Sequence, residues 1–314
     1  MKKSILFSLL HDVWGESSND SMRLTANELA DKNAKQLSEK VPEIPVAKWE
    51  NWCAYYSAER YKLRENLLQD LGIDLLLYID DTYPEVLKEV YRPPGILYVK
   101  GNFSLANLNI GMVGSRRATA YGKNVAYSLS KKLSDEGVRI ISGLAKGIDA
   151  NAHKGAIEGL GGTVAVLGCG IDPRENARLY EEILSHPNSS IISEWPLEAA
   201  AVDWHFPARN RIIAGLSEGV CGVEAAKKSG SLISANYALE YGKEVFAVPG
   251  LITSQQSVGC HRLLKDGAKL VAQPSDILDE FGQMMLFKDV KTDSIERQLT
   301  AEQQKVYTAL SSIP

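Results

Sequence analysis

The side chains best suited to chemistry in this sequence are basic and hydroxyl groups in short glycine-containing turns. The first turn, Gly114-Ser115-Arg116-Arg117, follows an apolar run from Ile110 to Val113 and precedes Thr119, which we expect to cap a helix. A strand that enters a helix through such a turn brings together unpaired backbone N–H groups and the positive end of a helix dipole. Arginine adds fork-shaped donors that match phosphate oxygens. The turn predicts an anion site, and the alternative is a turn whose arginines lie in water.

Further basic and hydroxyl segments follow later predicted strands. Two are small-residue turns, Ser142-Gly143-Leu-Ala-Lys146-Gly-Ile-Asp149 and Gly168-Cys-Gly170-Ile-Asp-Pro-Arg174. Two lie at helix starts: Phe206-Pro207-Ala-Arg209-Asn210-Arg211, with Pro207 in the first turn and the arginines near the positive end, and Lys227-Lys-Ser229-Gly230-Ser231. In an open parallel sheet, ligands bind beyond the carboxyl ends of the strands, so these turns should share one edge. A single phosphate needs one such turn, whereas a row of them suits several consecutive phosphates. Solvated loop charges that share an edge by chance are the alternative interpretation.

Alternating strands and helices are needed to place these turns together. Apolar runs predict strands near 110–113, 138–141, 163–167, 190–193, 219–223, 244–248 and 268–271, with helical patterns between them. Continuous runs such as Thr163 to Leu167 are typical of parallel strands that are buried on both faces. Two earlier strands, Leu75 to Ile79 and a run after Pro93 that ends at Gly101, precede this alternation. The pattern predicts an α/β fold with a doubly wound, mostly parallel sheet.

The two ends of the chain differ from this middle part. Residues 4–72 have a helical pattern with an aromatic group, Trp49, Trp52, Tyr55 and Tyr56, which we expect in a core rather than stacked on bases. At the other end, Pro274 to Phe281 predicts a last helix of the sheet domain. A further helical pattern near the C-terminus either packs back on the main domain or starts a domain that is absent here.

Composition limits the classes of function. The net charge of −4 gives no global basic field, so any nucleic-acid binding must come from a local groove. The four cysteines include no C-x-x-C pair, which argues against a zinc site or a disulfide framework and favours reduced thiols. The apolar start from Met1 to Leu10 imitates a signal peptide, but His11 and Asp12 end it. We expect a cytoplasmic protein without a membrane span.

Known catalytic patterns are missing from the sequence. A nicotinamide-dinucleotide site needs an acid at the end of the second strand, where this chain has Ile141-Ser142-Gly143. A nucleophile elbow and a Walker lysine turn are also missing. Asp149 and His153 could form a metal or acid–base pair, and we favour a helix cap with a hydrogen-bonded histidine. The sequence therefore predicts a binding protein with no cofactor and no metal, and not an enzyme.

Taken together, these segments resemble the DprA/Smf family of DNA-processing proteins. The resemblance is carried, in order, by Gly114-Ser115-Arg116, Ser142 to Asp149 with Ala152-His153, Phe206 to Ile213, Ser229 to Ile233 and Val248-Pro249-Gly250. The approach from Asp81 to Pro84, with Pro94 and Gly101, fits as well. Several uncommon motifs at consistent spacing over residues 110–272 are more specific than a single glycine turn.

The resemblance implies a fold, a function and a set of site residues. The fold is an extended Rossmann-like domain after a small helical SAM-like domain. The function is binding of single-stranded DNA and loading of the RecA recombinase onto strands coated with single-strand-binding protein, in natural transformation. The DNA-binding residues carried over are Ser115, Arg116, Arg117, Gly143, Lys146, Arg174, Arg209, Asn210, Arg211, Ser229, Gly230 and Ser231. A homodimer surface is implied at Leu239, His261, Leu264 and Leu270.

The implied domains are residues 1–72 (SAM-like), 73–285 (Rossmann-like) and 286–314 (a linker and the first helix of an incomplete winged-helix domain, at Thr300 to Leu310). Many family members have Tyr-Pro where this chain has Asp172-Pro173, and Asn where it has His261.

Two other functions stay open. A nucleotide-cleaving phosphoribohydrolase would carry a catalytic Glu after a Gly-Thr turn, where this chain has Leu232-Ile-Ser234 after Gly230-Ser231. A purely structural scaffold would bind neither oligonucleotides nor nucleotides.

Overall fold

One twisted sheet organises the part of the chain that the structure describes, a computed structural model covering residues 1–14, 19–171 and 176–282. Its nine strands are β1 Ile73–Leu77, β2 Ile96–Gly101, β3 Asn109–Val113, β4 Arg139–Ser142, β5 Thr163–Leu167, β6 Ser190–Ser193, β7 Gly219–Gly222, β8 Glu244–Ala247 and β9 Lys269–Leu270. Their order across the sheet is β1-β2-β6-β5-β4-β3-β7-β8-β9. The seven strands β6, β5, β4, β3, β7, β8 and β9 are all parallel to one another. At the β6 edge, β2 pairs antiparallel with β6, and β1 pairs antiparallel with β2.

The strands form where the sequence predicts them, because their residues are apolar on both faces. Every residue of β3, β4, β5, β6 and β7 is buried. Val164 and Val166 contribute to the core on one face, and Ala165 and Leu167 to the core on the other. The predicted doubly wound, mostly parallel sheet is therefore confirmed.

The first strand begins two residues earlier than predicted. The sequence pattern favoured Leu75 to Ile79, whereas β1 is Ile73–Leu77. The strand ends there because the backbone N–H of Leu77 donates to a carboxylate oxygen of Asp80 at 2.8 Å, which closes a turn. Apolar Tyr78 and Ile79 belong to that turn, and apolarity alone did not reveal it.

Helices cover both faces of the sheet. The crossover helices are α7 Ala120–Asp135, α8 Ile148–Ala156, α9 Ala177–Ser185, α10 His205–Gly215, α11 Ser231–Glu240 and α12 Val258–Lys265, preceded by the short α6 Glu85–Lys88 and followed by α13 Ser275–Leu278 with a 3₁₀ turn at Asp279–Phe281. Residues of α10, α11 and α12 share a core with one face, and residues of α7, α8 and α9 pack on the other. The last helix predicted from Pro274 to Phe281 is confirmed in these two pieces.

The N-terminal residues form a helical cluster, as predicted. It consists of α1 Lys3–Trp14, a 3₁₀ turn at Asn19–Arg23, α2 Ala26–Asp31, α3 Ala34–Lys40, α4 Val46–Tyr55 and α5 Ala58–Asp70. Trp49 and Trp52 are fully buried, and Nε1 of Trp52 donates to the carbonyl oxygen of Leu29 at 2.8 Å. The expectation that these tryptophans belong to a core is confirmed. The same core continues through α1 onto the sheet, where His11 stacks on Tyr98 of β2.

The sheet reverses its winding direction between β3 and β7. From β3, the chain adds β4, β5 and β6 on one side, then returns to add β7, β8 and β9 on the other. The loops that follow β3 and β7 therefore separate at this point and leave a crevice at the carboxyl edge. Ligands of doubly wound folds bind in such crevices.

Candidate nucleic-acid interface

A cavity of about 560 Å³ lies at the crevice between the carboxyl ends of β3 and β7. It collects residues from four of the segments singled out in the sequence. Those that line it are Ser115, Arg116, Arg117, Ala145, Asp149, Arg209, Asn210, Ser229, Gly230 and Ser231. We call this cavity the switch-point pocket.

The Gly114 turn is held in place by backbone contacts on both sides. The N–H of Ser115 donates to the carbonyl oxygen of Glu224 at 2.7 Å, and the N–H of Ile148 donates to the carbonyl oxygen of Ser115 at 3.2 Å. A Cβ atom at Gly114 would lie 2.5 Å from a side-chain atom of Ile148. Glycine is therefore needed here because the first residue of α8 approaches this turn closely.

The helix that follows the turn is capped as predicted. The side chain of Thr119 accepts a hydrogen bond from the N–H of Gly122 at 3.1 Å. The same hydroxyl donates to Glu224 at 2.6 Å, and the backbone N–H of Thr119 donates to the other oxygen of that carboxylate at 2.9 Å. Glu224, which sequence reasoning missed, thus ties the end of β7 to the start of α7. An acid soon after a strand was its only signal.

Arg116 and Arg117 are the exposed cations of the pocket. The guanidinium carbon of Arg116 lies 4.5 Å from the ring centroid of Phe206, which orients the arginine through a cation–π contact. Among the described residues, no carboxylate lies within salt-bridge distance of either arginine. Both are free to bind an anion through paired N–H donors.

Arg209 forms the floor of the pocket and is only 4% exposed. Its Nη1 donates to the carbonyl oxygen of Val166 in β5, and its Nε donates to the side chain of Asn210 at 3.2 Å. The amide of Asn210 in turn donates to the carbonyl oxygen of Gly230 at 3.2 Å. Burial lowers the pKa of Arg209, and Asp149 opposes that effect. Arg209 supplies fixed positive charge and holds the Gly230 turn.

Asp149 adds a titratable group to the pocket wall. The N–H of Gly143 donates to its carboxylate at 3.2 Å. Burial raises the pKa of Asp149 to about 6, and Arg209 moderates the rise.

The expectation that Asp149 caps the helix is wrong, because α8 begins at Ile148 and has Gly147 as its N-cap. Gly147 takes a positive φ of 89°, and a side chain there would overlap the carbonyl oxygen of Ser115.

His153 has a structural role. The N–H of Leu144 donates to its Nε2 at 3.2 Å, so Nδ1 carries the proton and lies 2.7 Å from the hydroxyl of Thr163. Burial lowers the pKa of His153 to about 3, which keeps the ring neutral. The hydrogen-bonded histidine favoured by the sequence is confirmed, and both ring nitrogens are occupied. Within the described residues, no three His, Cys, Asp or Glu side chains are grouped to hold a metal.

Among the described residues, three of the predicted DNA-binding residues, Gly143, Lys146 and Arg211, do not line the pocket. Lys146 is exposed beside Ala145, which does line it. Gly143 lies beneath Arg209. Arg174 falls outside the described residues, as do Asp172-Pro173 and the helix expected at Thr300 to Leu310.

Arg211, a predicted DNA-binding residue, lies outside the switch-point pocket and is bound to other groups of the protein. Its guanidinium makes a two-fold ion pair with Glu194 at 2.7 and 2.5 Å, and both side chains are 10% exposed. It also donates to the carbonyl oxygen of Arg92 at 3.1 and 2.8 Å. Hydrogen bonding and the nearby charge of Glu194 raise its pKa against the effect of burial. A phosphate contact by Arg211 would require breaking this pair, so we correct its role to an internal one.

The predicted dimer residues lie around the β8–β9 end of the sheet. Leu239 on α11 and Leu270 on β9 are exposed, and Leu264 on α12 is half-buried. Nε2 of His261 donates to the carbonyl oxygen of Gly250 at 3.0 Å. The two leucines give this end apolar side chains facing solvent, while His261 braces the loop after β8.

The sequence of the chain matches the family model described as DNA recombination-mediator protein A over residues 74–282. The chain belongs to this family. This match begins at the second residue of β1 and ends just past the last 3₁₀ turn. A relative in Bacillus subtilis, the DNA processing protein DprA, is 43% identical over 217 residues, which are 68% of this chain and 72% of that protein. The DprA/Smf membership expected from the sequence is thereby confirmed.

Two solved structures of the same family resemble the fold. The structure of DNA processing protein A from Streptococcus pneumoniae is 34% identical with a TM-score of 0.69, covering 89% of this chain and 99% of that one. DNA processing protein A from Helicobacter pylori is 28% identical with a TM-score of 0.60, covering 68% and 97%. The latter structure was described for its single-stranded DNA binding mode. Within the described residues, no helix is both long and apolar enough to span a bilayer.

Proposed function

We propose that this chain binds single-stranded DNA through its switch-point pocket and acts as a recombination mediator that loads RecA recombinase on incoming DNA during natural transformation. The observation that carries the proposal is the pocket itself, where Arg116 and Arg117 stand exposed over the buried charge of Arg209. These cations gather within an acidic chain, so they form a local site and not part of a basic surface. The DNA-binding mode described for the Helicobacter pylori relative supports the choice of ligand.

The proposed DNA contacts are those that the pocket and its rim offer. They are the exposed arginines and Ser115 of the first turn, Lys146, the buried Arg209 with Gly143 and Asn210, and the Ser229-Gly230-Ser231 turn. Arg174 is proposed with them on the family resemblance alone. The hydroxyls of Ser229 and Ser231 lie 2.7 Å apart and are half-buried, so either can turn to donate to a phosphate oxygen. Phosphate contacts of this kind carry no base information, and we expect binding to be insensitive to sequence.

The β8–β9 end of the sheet offers a surface for assembly. We propose a homodimer through Leu239, His261, Leu264 and Leu270, because exposed leucines at one end of a sheet can meet across a two-fold axis. The proposed partners are RecA and the single-strand-binding protein that coats its substrate. The proposed domain division is 1–72, 73–285 and 286–314, and the proposed location is the cytoplasm.

We propose a non-enzymatic role. The acid nearest the pocket floor, Asp149, is hydrogen-bonded to the loop after β4, and His153 is fully engaged. The rival, a phosphoribohydrolase, needs an acid on the turn that begins α11, where this chain has Gly230-Ser231 and then Leu232. Incubation with nucleoside monophosphates should release no free base.

The function is tested by a recombination assay. RecA-driven strand exchange on single strands already coated with single-strand-binding protein should be slow without this chain and accelerate when the chain is added. Arg116→Ala should lose most of the acceleration, and Arg23→Ala, an exposed arginine on the N-terminal helices, should keep it. Equal rates with and without the wild-type chain would end the mediator proposal.

A further inference from the structure

An exposed tryptophan stands beside the switch-point pocket and has no part in the role described so far. Trp204 immediately precedes α10 and is 62% exposed. Its sequence neighbour Asp203 lines the pocket, and Phe206, two residues on, holds Arg116. The exposed indole keeps a large apolar area in contact with water in the folded chain, and a ligand that covered it would remove that area from water.

The indole of Trp204 is held by two other rings. It makes edge contacts with Trp195, at 5.0 Å between centroids and 88° between planes, and with His205, at 4.2 Å and 79°. Trp195 and His205 are themselves stacked 3.5 Å apart at 15°. The cluster fixes the orientation of Trp204, so a flat ligand that stacks on it would cost little side-chain entropy.

The base of this cluster is rigid. The N–H of Trp195 donates to the hydroxyl of Ser193 at 3.1 Å, and that hydroxyl bonds to the carbonyl oxygen of Cys169 at 2.5 Å. The N–H of Gly170 donates to the carbonyl oxygen of Ala199 at 2.8 Å. The loops after β5 and β6 are therefore joined, and the aromatic cluster is built on the sheet and not on an isolated loop.

The cluster and the pocket lie along the same edge of the sheet. Trp195 follows β6, and the pocket opens after β3, with β5 and β4 between them. Neighbouring strands are about 4.8 Å apart, which places Trp195 roughly 14 Å along the edge from β3. Trp204 lies nearer to the pocket, because its neighbour Asp203 lines it. A strand whose phosphates occupy the pocket can reach the cluster within a few nucleotides.

We propose that Trp204 is a stacking platform for a nucleobase of the single strand bound in the switch-point pocket. The proposal deepens the proposed function and rests on it. The ligand is any base, because every base has a π-face, whereas the phosphate groups are held by the arginines. Trp204 thereby favours binding of single strands, whose bases are free to stack on it, and the pocket binds the phosphates of those strands.

The test compares two strands of equal charge, an oligothymidylate and a strand of the same length whose sugars carry no bases. Wild-type protein should bind the oligothymidylate more tightly than the abasic strand. Trp204→Ala should weaken oligothymidylate binding about tenfold, in line with measured base–aromatic stacking, and leave abasic binding unchanged. Tyr91→Ala, an aromatic residue of matching exposure at 64%, should change neither affinity.

A second variant keeps the test decisive if the alanine variant does not fold. Trp204→Phe retains a smaller platform, so it should keep most of the affinity while losing the quenching of tryptophan emission that the oligothymidylate causes in the wild type. If Trp204→Ala and wild type show the same preference for bases, or Trp204→Phe is quenched as fully as the wild type, the proposal is overturned. If the wild type binds neither strand, the proposed function fails first. Weaker binding of both strands by Arg116→Ala, with the base preference intact, separates the two roles.

Discussion

The guanidinium group of Arg209 lies against Gly143, in the space that a side chain at position 143 would occupy. The loop after β4 and the helix α10 are thus fitted to each other at the floor of the switch-point pocket. Gly143→Ala would force the buried arginine out of its place beneath the pocket. We expect a loss of about 1–3 kcal/mol in the free energy of unfolding, measured by urea denaturation, and weaker oligonucleotide binding.

Gly230 provides the matched control for this substitution. It also lines the pocket, but a Cβ atom there would meet nothing within 4 Å, and its φ is negative at −62°. Gly230→Ala should therefore leave the unfolding free energy within about 0.5 kcal/mol of the wild type. Equal destabilisation by both substitutions would contradict the close fit at Gly143.

Arg116 should contribute to binding of every sequence alike. Arg116→Ala removes an exposed charge-assisted donor, and such contacts are worth about 1.5–3 kcal/mol, or roughly ten- to a hundredfold in affinity. Fluorescence anisotropy with oligothymidylate, oligodeoxyadenylate and a mixed sequence should show similar losses, because phosphate contacts carry no base information. A loss confined to one sequence would instead indicate that Arg116 reads a base.

Binding should depend on pH through Asp149. Its pKa of about 6 lies above its ordinary value of 3.8, so the native state binds the proton more tightly than the unfolded chain, and stability falls as pH rises through that interval. Below pH 6 the pocket wall also loses a negative charge, and oligonucleotide affinity should be higher at pH 5 than at pH 7.5. Affinity measured at constant ionic strength should lose this dependence in Asp149→Asn. The same pH profile in both proteins would exclude Asp149 as the cause.

Arg211 should matter for stability and not for DNA binding. Arg211→Met would leave the carboxylate of Glu194 buried without its partner, at a cost of about 3–5 kcal/mol in unfolding free energy. The double variant with Glu194→Leu should recover much of that loss in thermal and urea melts. At a temperature where the single variant is folded, its oligonucleotide affinity should equal that of the wild type, and a large loss would return Arg211 to the interface.

The sheet could be predicted from sequence because its signal is local. Val164 to Leu167 is an apolar run, and such short runs are typical of strands buried on both faces. The Gly114 and Ser142 turns were predictable for the same reason, since each follows a strand directly. The position of β1 was not, because its end depends on one carboxylate, that of Asp80.

The division of the basic residues between pocket and core could not be predicted in this way. Arg209 and Arg211 are two residues apart on one helix, so they point in different directions, and periodicity does not say which faces the cavity. The partner of Arg211 is Glu194, 17 positions earlier in a loop after β6. Only the folded arrangement of β6 and α10 brings the two together.

The central claim is that the switch-point pocket binds the phosphates of a single strand, and salt dependence tests it most directly. Four of the proposed contacts that the structure describes are basic side chains, Arg116, Arg117, Lys146 and Arg209. At about 0.7 released counterions per contact, the logarithm of the association constant for an oligothymidylate should fall against the logarithm of salt concentration with a slope of about −2.8. Arg116→Ala should make the slope about 0.7 shallower. A slope near zero, or one that Arg116→Ala leaves unchanged, would contradict the account.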